Sequence, residues 1–187
     1  MRIGLFGGSF DPFHLGHFLI ARAARERFGL QRVIFLPCAR SPLKKHRPVA
    51  SDQARLTMLR RGLQRHSWAE VSDWEVRQGG VSYTADTVRA WENRHPRAIL
   101  YWIMGSDQWE LLSSWREPRV LRKKLRFLVF PRPRAPRGRR GFRMQEIPLR
   151  LDISASEVRR RIQHRLPIEG MVMPSIEALI RKYGWYR

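Results

Sequence analysis

The chain begins MRIGLFGGSFDPFHLGH, residues 1–17, and this stretch decides the fold. Met1 to Phe6 have the length and apolar content of a short buried strand, which ends in two glycines and a serine. From Leu15 to Phe28 the apolar residues recur with the spacing of an amphipathic helix, and Gly29 is a typical C-terminal stop. A strand that passes through glycines directly into a helix predicts the first unit of an α/β fold.

Strand and helix patterns alternate along the rest of the chain. We predict strands at 33–36, 70–76, 98–104 and 125–130, and helices at 51–64, 83–94, 154–163 and 175–183. This alternation is typical of a doubly wound, Rossmann-like parallel sheet flanked by helices. The length of 187 residues fits one domain, with the sheet in residues 1–150 and a small C-terminal helical part in residues 151–187.

A ligand site is expected at one edge of this sheet, because doubly wound sheets bind ligands beyond the carboxyl ends of their strands. The polar residues that follow Phe6, Leu36 and Met104 should gather there. Gly7 and Gly8 allow the backbone to come close to a ligand. The helix that follows points free N–H groups and its positive dipole end at the same place, which suits a phosphate.

His14 and His17 begin that helix. They are three residues apart and share a face of its first turn, with Gly16 between them leaving room for a bulky ligand. Two imidazoles there can donate hydrogen bonds to a developing pentavalent phosphate. A helix entry with two surface histidines and a metal pair, with Asp11 as the one nearby carboxylate, stay open as alternatives. Neither the dinucleotide glycine fingerprint nor a P-loop is present.

The charge is strongly positive. The chain has 37 Lys and Arg against 16 Asp and Glu, a formal net charge of +21, and only five of the basic residues are Lys. Nucleic acid, an anionic membrane and phosphorylated metabolites are all compatible partners, and so is an excess of Arg on solvated faces. Segment 131–143 holds six Arg, three Pro and two Gly. We predict an exposed loop there that contributes nothing to a core, with a nucleic-acid contact as the alternative.

Other features exclude whole classes of protein. The longest apolar run, Ala98 to Met104, is far shorter than the roughly 20 residues that a membrane span needs. The chain start does not have the layout of a signal peptide. Cys38 is the only cysteine, which excludes an intramolecular disulfide and a cysteine zinc site, and we interpret it as a packing residue. We therefore expect a cytoplasmic protein without a membrane or a specific nucleic acid as partner.

Two motifs carry a resemblance to a known group of enzymes. GGSFDPFHLGH, at 7–17, resembles the signature of the H-x-G-H nucleotidyltransferase superfamily, and DISASEVR, at 152–159, is similar to its second motif. Within the superfamily the chain most resembles the bacterial nicotinate mononucleotide adenylyltransferases. SYTADT at 82–87, GSD at 105–107 and the spacing of Ser51, Arg55 and Met58 match that family.

One segment departs from the family pattern. Ser41 stands in place of a Pro and Leu43 in place of a His, whereas Lys44 keeps the positive charge. The departure concerns the local loop geometry rather than the reaction.

The resemblance implies that AMP is transferred from ATP to nicotinate mononucleotide, giving deamido-NAD and pyrophosphate. It also implies Mg²⁺, which arrives with ATP and has no dedicated protein ligand set. The mononucleotide phosphate would attack the α-phosphorus of ATP in line, without a covalent enzyme intermediate. Such a reaction is accelerated by positioning and charge neutralisation.

The resemblance also implies roles for individual residues. Those implied for catalysis are His14, His17, Lys44 and Arg159. Those implied for ATP binding are Gly7, Gly8, Ser9, Phe10, His17, Gly105, Asp107, Ile153, Ser154, Ser156 and Arg159. Those implied for mononucleotide binding are Ser9, Phe10, Lys44, Tyr83, Thr84 and Trp115.

Several of these roles have plainer alternatives. Asp107 would accept ribose hydroxyls, but its position also fits a helix cap. Trp115 would stack on the pyridine ring, although a single Trp is usually part of a core. Arg55 is a further candidate for phosphate contact, and Asp86 and Thr87 are expected to stabilise a helix start.

The function itself has two alternatives. The first is another H-x-G-H adenylyltransferase that takes nicotinamide mononucleotide or pantetheine phosphate as acceptor. His14, where the pantetheine-phosphate enzymes have a Thr, and the segment SYTADT argue against pantetheine phosphate. The second is a basic nucleic-acid-binding protein, for which we find no recognised binding motif.

Overall fold

A computed structural model describes residues 1–132 and 134–187; Pro133, in the predicted 131–143 loop, lies outside the described residues. The strands are β1 Arg2–Gly8, β2 Arg32–Pro37, β3 Ala69–Val71, β4 Ile99–Gly105, β5 Leu125–Phe130 and β6 Met144–Glu146. The α-helices are α1 Leu15–Phe28, α2 Asp52–Leu63, α3 Trp74–Gln78, α4 Thr84–Arg94, α5 Ser106–Glu110, α6 Pro118–Lys124, α7 Ala155–Gln163 and α8 Pro174–Tyr183. Over the described ranges, no helix is both long enough and apolar enough to cross a bilayer.

All six strands pair in parallel in one sheet, in the order β3-β2-β1-β4-β5-β6. The central strand is β1, where Phe6 lies level with Phe35 of β2 and Ile103 of β4. The chain winds outward from β1 in one direction and then from β4 in the other, so a crevice opens between the ends of these two strands. The predicted Rossmann-like α/β fold is confirmed.

Each face of the sheet is covered by a core. On one face Ile103 and Leu128 belong to a cluster that includes buried residues of α1, α2 and α8. On the other face Trp102 and Phe127 belong to a cluster with buried residues of α4, α5 and α6. Because both faces of the central strands are buried, β4 has an almost continuous apolar sequence rather than an alternating one.

The predicted strand 70–76 is right only for its first two residues and wrong over residues 72–76. The strand β3 ends at Val71, and Trp74 begins the short helix α3. Trp74 packs edge-on against Trp91 of α4, with ring centroids 5.8 Å apart, and Glu75 is buried. The sequence patterns also missed α5, α6 and β6. Each has at most seven residues, which is too short to show a period.

The C-terminal residues fold back onto the beginning of the chain. The Leu15 N–H donates to the Met171 carbonyl (2.9 Å), and α8 packs against α2. Gly62 of α2 makes this approach possible, because a Cβ there would lie 3.0 Å from both Ile176 and Phe13. The second motif is thereby brought next to the first.

Segment 131–143 is exposed over most of its described residues, as predicted, but it does contribute to a core. Phe142 packs against Trp109 and Phe127, with ring centroids 5.8 and 5.9 Å away. The Trp109 indole N–H also donates to the Arg137 carbonyl (2.8 Å). The prediction that this segment contributes nothing to a core is therefore wrong, because its one aromatic residue and its backbone bind it to α5.

Arg55, a fully buried residue of α2, joins the ends of β1 and β2. Its Nη1 donates to the Ser9 carbonyl (2.7 Å), and its Nη2 donates to the Cys38 carbonyl (2.8 Å) and pairs with Asp52. These contacts use the guanidinium inside the protein. Arg55 therefore holds the two loops that follow β1 and β2, and the structure gives it no access to a phosphate.

We expect Arg55→Ala to lower the free energy of unfolding by about 3–5 kcal/mol, because it leaves the buried Cys38 carbonyl and the partly buried Ser9 carbonyl without their charged donor. The measurement is urea unfolding followed by circular dichroism. The matched control is Arg60→Ala on the same helix, where a half-exposed side chain pairs with Asp73 and the expected loss is about 0–1 kcal/mol. Equal stability of the two variants would contradict the role given to Arg55.

Candidate active site

Residues of both motifs, together with Lys44 and Asp107, lie around the crevice between the carboxyl ends of β1 and β4. Gly7 must be a glycine here, because a Cβ would lie 2.8 Å from the Trp102 ring of the neighbouring strand. Beyond the strand ends, the Cys38 N–H donates to the Gly8 carbonyl (2.9 Å). The loops that follow β1 and β2 are thus bound together, as the sequence predicted for polar residues at this edge.

Phe10 packs in the core against His17 of the site. It adopts a φ of 47°, in the left-handed region that residues other than glycine rarely adopt. Its ring is buried and lies edge-on to the His17 imidazole, with centroids 4.9 Å apart. Since the ring is inside the core, any contact of Phe10 with a ligand has to come from its backbone.

His14 and His17 form a stacked pair, with ring centroids 3.6 Å apart. His14 is the N-cap of α1 in an extended conformation, and its backbone N–H donates to Nδ1 of His17 (3.3 Å). Because Nδ1 of His17 accepts this bond, the proton of the neutral ring lies on Nε2. Nδ1 of His14 is buried and has no hydrogen-bond partner. An unpartnered buried polar atom of this kind is characteristic of a functional site.

Both imidazoles are held neutral by their surroundings. Burial, and then the Arg132 guanidinium, lowers the pKa of His14 from 6.5 to about 3. Burial, and then the charges of His14, Arg132 and Lys44, lowers the pKa of His17 well below its usual range. The pair can therefore donate N–H hydrogen bonds at neutral pH without carrying charge.

Gly16 has a different role from the one predicted. A Cβ at this position would lie 3.0 Å from the His14 ring and 3.6 Å from Cβ of Ile153. We predicted that this space would accommodate a bulky ligand, but the His14 ring occupies it. Gly16 thus allows the histidines to stack and allows the second motif to approach.

Lys44 reaches the site from the loop that follows β2. Its Nζ donates to Oγ of Ser9 (3.1 Å), and that oxygen lies 3.7 Å from Sγ of Cys38. Burial raises the pKa of the Cys38 thiol, which fits the packing role predicted for it. Ser9 and Lys44, both predicted for the mononucleotide, are therefore in direct contact.

The second motif begins α7 beside the histidines. Ser154 is the N-cap, and its Oγ accepts from the Glu157 N–H (3.2 Å) and lies 3.2 Å from Oγ of Ser156. Nη1 of Arg159 donates to the backbone carbonyl of Asp11 (2.5 Å). Since Asp11 belongs to the first motif, this bond joins the two motifs across 148 residues of sequence.

Asp11 is a residue to which the sequence assigned no structural role. It is 5% exposed, and its carboxylate accepts hydrogen bonds from the Val49 N–H (2.7 Å), the Ala50 N–H (3.0 Å) and the Tyr186 hydroxyl (2.8 Å). The charged residue between two phenylalanines, in an otherwise apolar loop, was the available signal. Nothing in the sequence pattern indicated its partners, which come from distant segments.

Asp107 and the beginning of α5 form the opposite side of the crevice. Oδ1 of Asp107 accepts from the Gln108 N–H (2.9 Å), and Oδ2 lies 3.9 Å from Nε of Arg132. Gly105 is the N-cap of α5, so Asp107 lies one step inside the helix rather than at the cap. A Cβ on Gly105 would lie 2.5 Å from Oδ1 of Asp107 and prevent this arrangement.

Arg132 is a further site residue to which no sequence motif pointed. The 131–143 segment carries it to the crevice, where its charge acts on both histidines. Ser106 anchors this segment: its buried Oγ accepts from the Arg132 N–H (2.7 Å) and donates to the Arg134 carbonyl (2.7 Å). At least one arginine of this segment thus belongs to the candidate site.

Tyr83, Thr84 and Trp115 lie together at the beginning of α4 and in the turn before α6. Tyr83 is the N-cap of α4 and provides no side-chain cap, and the Arg116 guanidinium lies over its ring at 4.8 Å. Trp115 packs edge-on against Trp102, with ring centroids 6.4 Å apart, so part of its ring belongs to the core. Its indole nitrogen is buried and has no partner.

A cavity of about 260 Å³ opens on one side of Tyr83 and is also lined by Glu75 and Asp86. Glu75 is buried, which raises the pKa of its carboxyl, and it accepts a hydrogen bond from Oγ1 of Thr87 (2.6 Å). Thr87 therefore fastens α4 to α3, whereas Asp86 pairs with Arg89 and Arg116. Both contacts stabilise the beginning of α4.

The sequence comparisons with known proteins agree with one another. Residues 5–161 match the cytidylyltransferase-like family. A protein of Opitutus terrae named "Probable nicotinate-nucleotide adenylyltransferase" is 38% identical, over 100% of this chain and 98% of that protein. A protein of the same name from Methylacidiphilum infernorum is 36% identical, over 99% and 92% respectively.

Solved structures show the same fold. Plasmodium falciparum nicotinic acid mononucleotide adenylyltransferase, in complex with NaAD, superposes with a TM-score of 0.82 over 99% of this chain and 97% of that one. The two sequences are 20% identical, so this likeness concerns the architecture.

The neutral histidine pair predicts how stability changes with acid. Between pH 6.5 and about 3, His14 is protonated in the unfolded chain but neutral in the folded protein. The free energy of unfolding therefore falls as the pH is lowered through this window. We expect a slope that approaches about 1.4 kcal/mol per pH unit for each such histidine. Urea unfolding between pH 7 and pH 4 measures this slope.

The comparison protein is His14→Gln, in which the slope over the same window should be smaller. NMR of the imidazole resonances provides a direct check. A His14 ring that takes up its proton near pH 6 in the folded protein would contradict the proposed environment.

Proposed function

This chain belongs to the cytidylyltransferase-like family, and within it to the nicotinate-nucleotide adenylyltransferases, and we propose that it transfers AMP from ATP to nicotinate mononucleotide. The products are deamido-NAD and pyrophosphate. The observation that carries the proposal is the neutral His14–His17 pair at the β1–β4 crevice, which has Lys44, Arg132 and Arg159 around it. Neutral donors surrounded by fixed cations suit a phosphate chain on which charge shifts during reaction.

ATP occupies the crevice with its phosphates over the histidines. Nε2–H of His17 and the His14 ring donate to phosphate oxygens, while Lys44 and Arg159 neutralise the charge as pyrophosphate separates. The N-terminus of α7, with Ser154 and Ser156, adds hydroxyl and backbone donors. Asp107, across the crevice, accepts hydrogen bonds from the ribose hydroxyls.

The reaction is a direct displacement. The 5′-phosphate of the mononucleotide attacks the α-phosphorus of ATP in line with the departing pyrophosphate, so the protein supplies positioning and charge rather than a nucleophile. The surroundings of the Cys38 thiol and the Ser9 hydroxyl support this. Burial keeps the Cys38 thiol protonated, and Oγ of Ser9 accepts a hydrogen bond from Lys44.

We propose nicotinate mononucleotide rather than nicotinamide mononucleotide as the acceptor because of the structure at the start of α4. Tyr83 leaves the first N–H groups of this helix without a side-chain cap, and these groups together with the helix dipole favour a carboxylate over an amide. The Trp115 ring closes the pyridine site on one side.

Mg²⁺ is expected to come with ATP. Among the residues that the structure describes, no three His, Cys, Asp or Glu side chains are grouped so that they could hold a metal. The oxygens of Asp11 are engaged by Val49, Ala50 and Tyr186, and Arg132 lies near the Asp107 carboxylate. The described residues therefore offer no complete ligand set, and the ion would be held by substrate phosphates and water.

The acceptor is tested by pyrophosphate release from ATP with nicotinate mononucleotide and, separately, with nicotinamide mononucleotide. We expect kcat/KM to be at least about tenfold higher for the acid, since a hydrogen bond to a charged group contributes more than one to a neutral amide. A preference for the amide would refute the acceptor while leaving adenylyl transfer in place. Release with neither acceptor would refute the proposed function.

His17→Ala tests the role of the histidine pair. Loss of a preorganised donor to the transition state should reduce kcat by about 10²–10³. The control is His95→Ala, at the far end of α4, for which we expect a change within about twofold. A His17→Ala enzyme within about threefold of wild type would rule out a transition-state contact.

A further inference from the structure

Tyr186, the penultimate residue, is buried although it lies at the end of the chain. Chain ends usually fray unless something holds them. Here α8 ends at Gly184, whose φ of 65° turns the backbone, and the Trp185 N–H donates to the Ile180 carbonyl (3.2 Å). The Tyr186 side chain then enters the core and is 5% exposed.

The Tyr186 side chain contacts the first motif. Its hydroxyl donates to Oδ1 of Asp11 (2.8 Å), across 175 residues of sequence. Burial, and then the Asp11 carboxylate, raises the pKa of the Tyr186 hydroxyl above its usual range, so the hydroxyl remains a donor. Tyr186 also has a φ of 69°, which costs an ordinary side chain free energy, so surrounding contacts have to hold it there.

Asp11 contacts both Tyr186 and Arg159, the residue proposed to neutralise substrate phosphate. The Asp11 carbonyl accepts from Nη1 of Arg159 (2.5 Å), and the same nitrogen lies 3.8 Å from Oδ2 of the Asp11 carboxylate. Three donors keep the Asp11 carboxylate from turning toward Arg159: the Val49 N–H, the Ala50 N–H and the Tyr186 hydroxyl. Without the hydroxyl, Oδ1 would lose a donor and the carboxylate could turn to form a closer ion pair with Arg159.

We propose that Tyr186 is a positioning residue: its hydroxyl holds the Asp11 carboxylate and thereby keeps the Arg159 guanidinium available for substrate phosphate. This inference rests on the proposed function. It gives the C-terminus a part in adenylyl transfer without any contact between Tyr186 and substrate. The step involves no covalent chemistry, only competition between two donors for one carboxylate.

The test is a double-mutant cycle of wild type, Tyr186→Phe, Arg159→Ala and the double variant, assayed by pyrophosphate release. Tyr186→Phe keeps the buried ring and removes the hydroxyl. We expect it to lower kcat/KM for ATP about tenfold, which is the effect of losing one hydrogen bond to a charged group. In the Arg159→Ala background the same substitution should have almost no effect, because its target is already absent.

Tyr101→Phe is the matched control. Tyr101 is also a buried tyrosine, and its hydroxyl accepts a hydrogen bond from Arg126 in the sheet (3.3 Å). We expect its kcat/KM for ATP to stay at the wild-type value even if its thermal stability falls. Replacing Tyr186 with p-aminophenylalanine, which restores a donor at the same place, should recover most of the activity that Tyr186→Phe loses.

Two results would overturn the inference. One is a wild-type kcat/KM in Tyr186→Phe, and the other is a loss of the same factor in both the wild-type and Arg159→Ala backgrounds. The second pattern would mean that the hydroxyl only stabilises the fold.

Failure of the proposed function is separable from failure of this inference. If wild type releases no pyrophosphate, the proposed function fails, and the same four proteins are compared by calorimetric titration with ATP alone. Weaker ATP binding in Tyr186→Phe, confined to the background that retains Arg159, supports the positioning role. Equal ATP binding by wild type and Tyr186→Phe overturns it.

Discussion

The Asp11 carboxylate is the constraint on which the arrangement of this site depends. It is almost completely buried, so each of its oxygens needs donors from the protein. Those donors come from the loop before α2 and from the C-terminus, and the carbonyl of the same residue receives Arg159 from α7. One short loop after β1 thus collects the segments that surround the candidate site, because a buried charge without partners would be strongly destabilising.

The site combines neutral histidines with fixed cations. Burial and neighbouring positive charge keep His14 and His17 unprotonated, so they donate hydrogen bonds without adding charge. Lys44, Arg132 and Arg159 supply the positive charge from three separate segments of the chain. This division explains how a chain with a net charge of +21 uses only a few of its basic residues at the site. Others have structural contacts, such as those of Arg55 with the loops after β1 and β2 and of Arg116 with Asp86.

The parallel sheet decides where the motifs meet. Because the strand order reverses between β1 and β4, the loops after these strands diverge and leave a crevice. The first motif lies on one side of this crevice and Asp107 on the other. The C-terminal helices close the site when α8 packs on α2, with Gly62 permitting the close approach. The positions of the two motifs at opposite ends of the sequence are therefore compatible with one compact site.

The sequence by itself determined the alternation of strands and helices, the glycines at the end of β1 and the chemical character of both motifs, since these follow from local periodicity and residue type. It could not reveal that Gly16 makes room for the His14 ring, that Arg55 is buried, or that Arg132 lies beside the histidines. Only the tertiary structure decided the partners of Asp11, because Arg159 and Tyr186 lie 148 and 175 residues away. Contacts over such separations leave no local pattern: they exist only after the sheet and the C-terminal helices have packed.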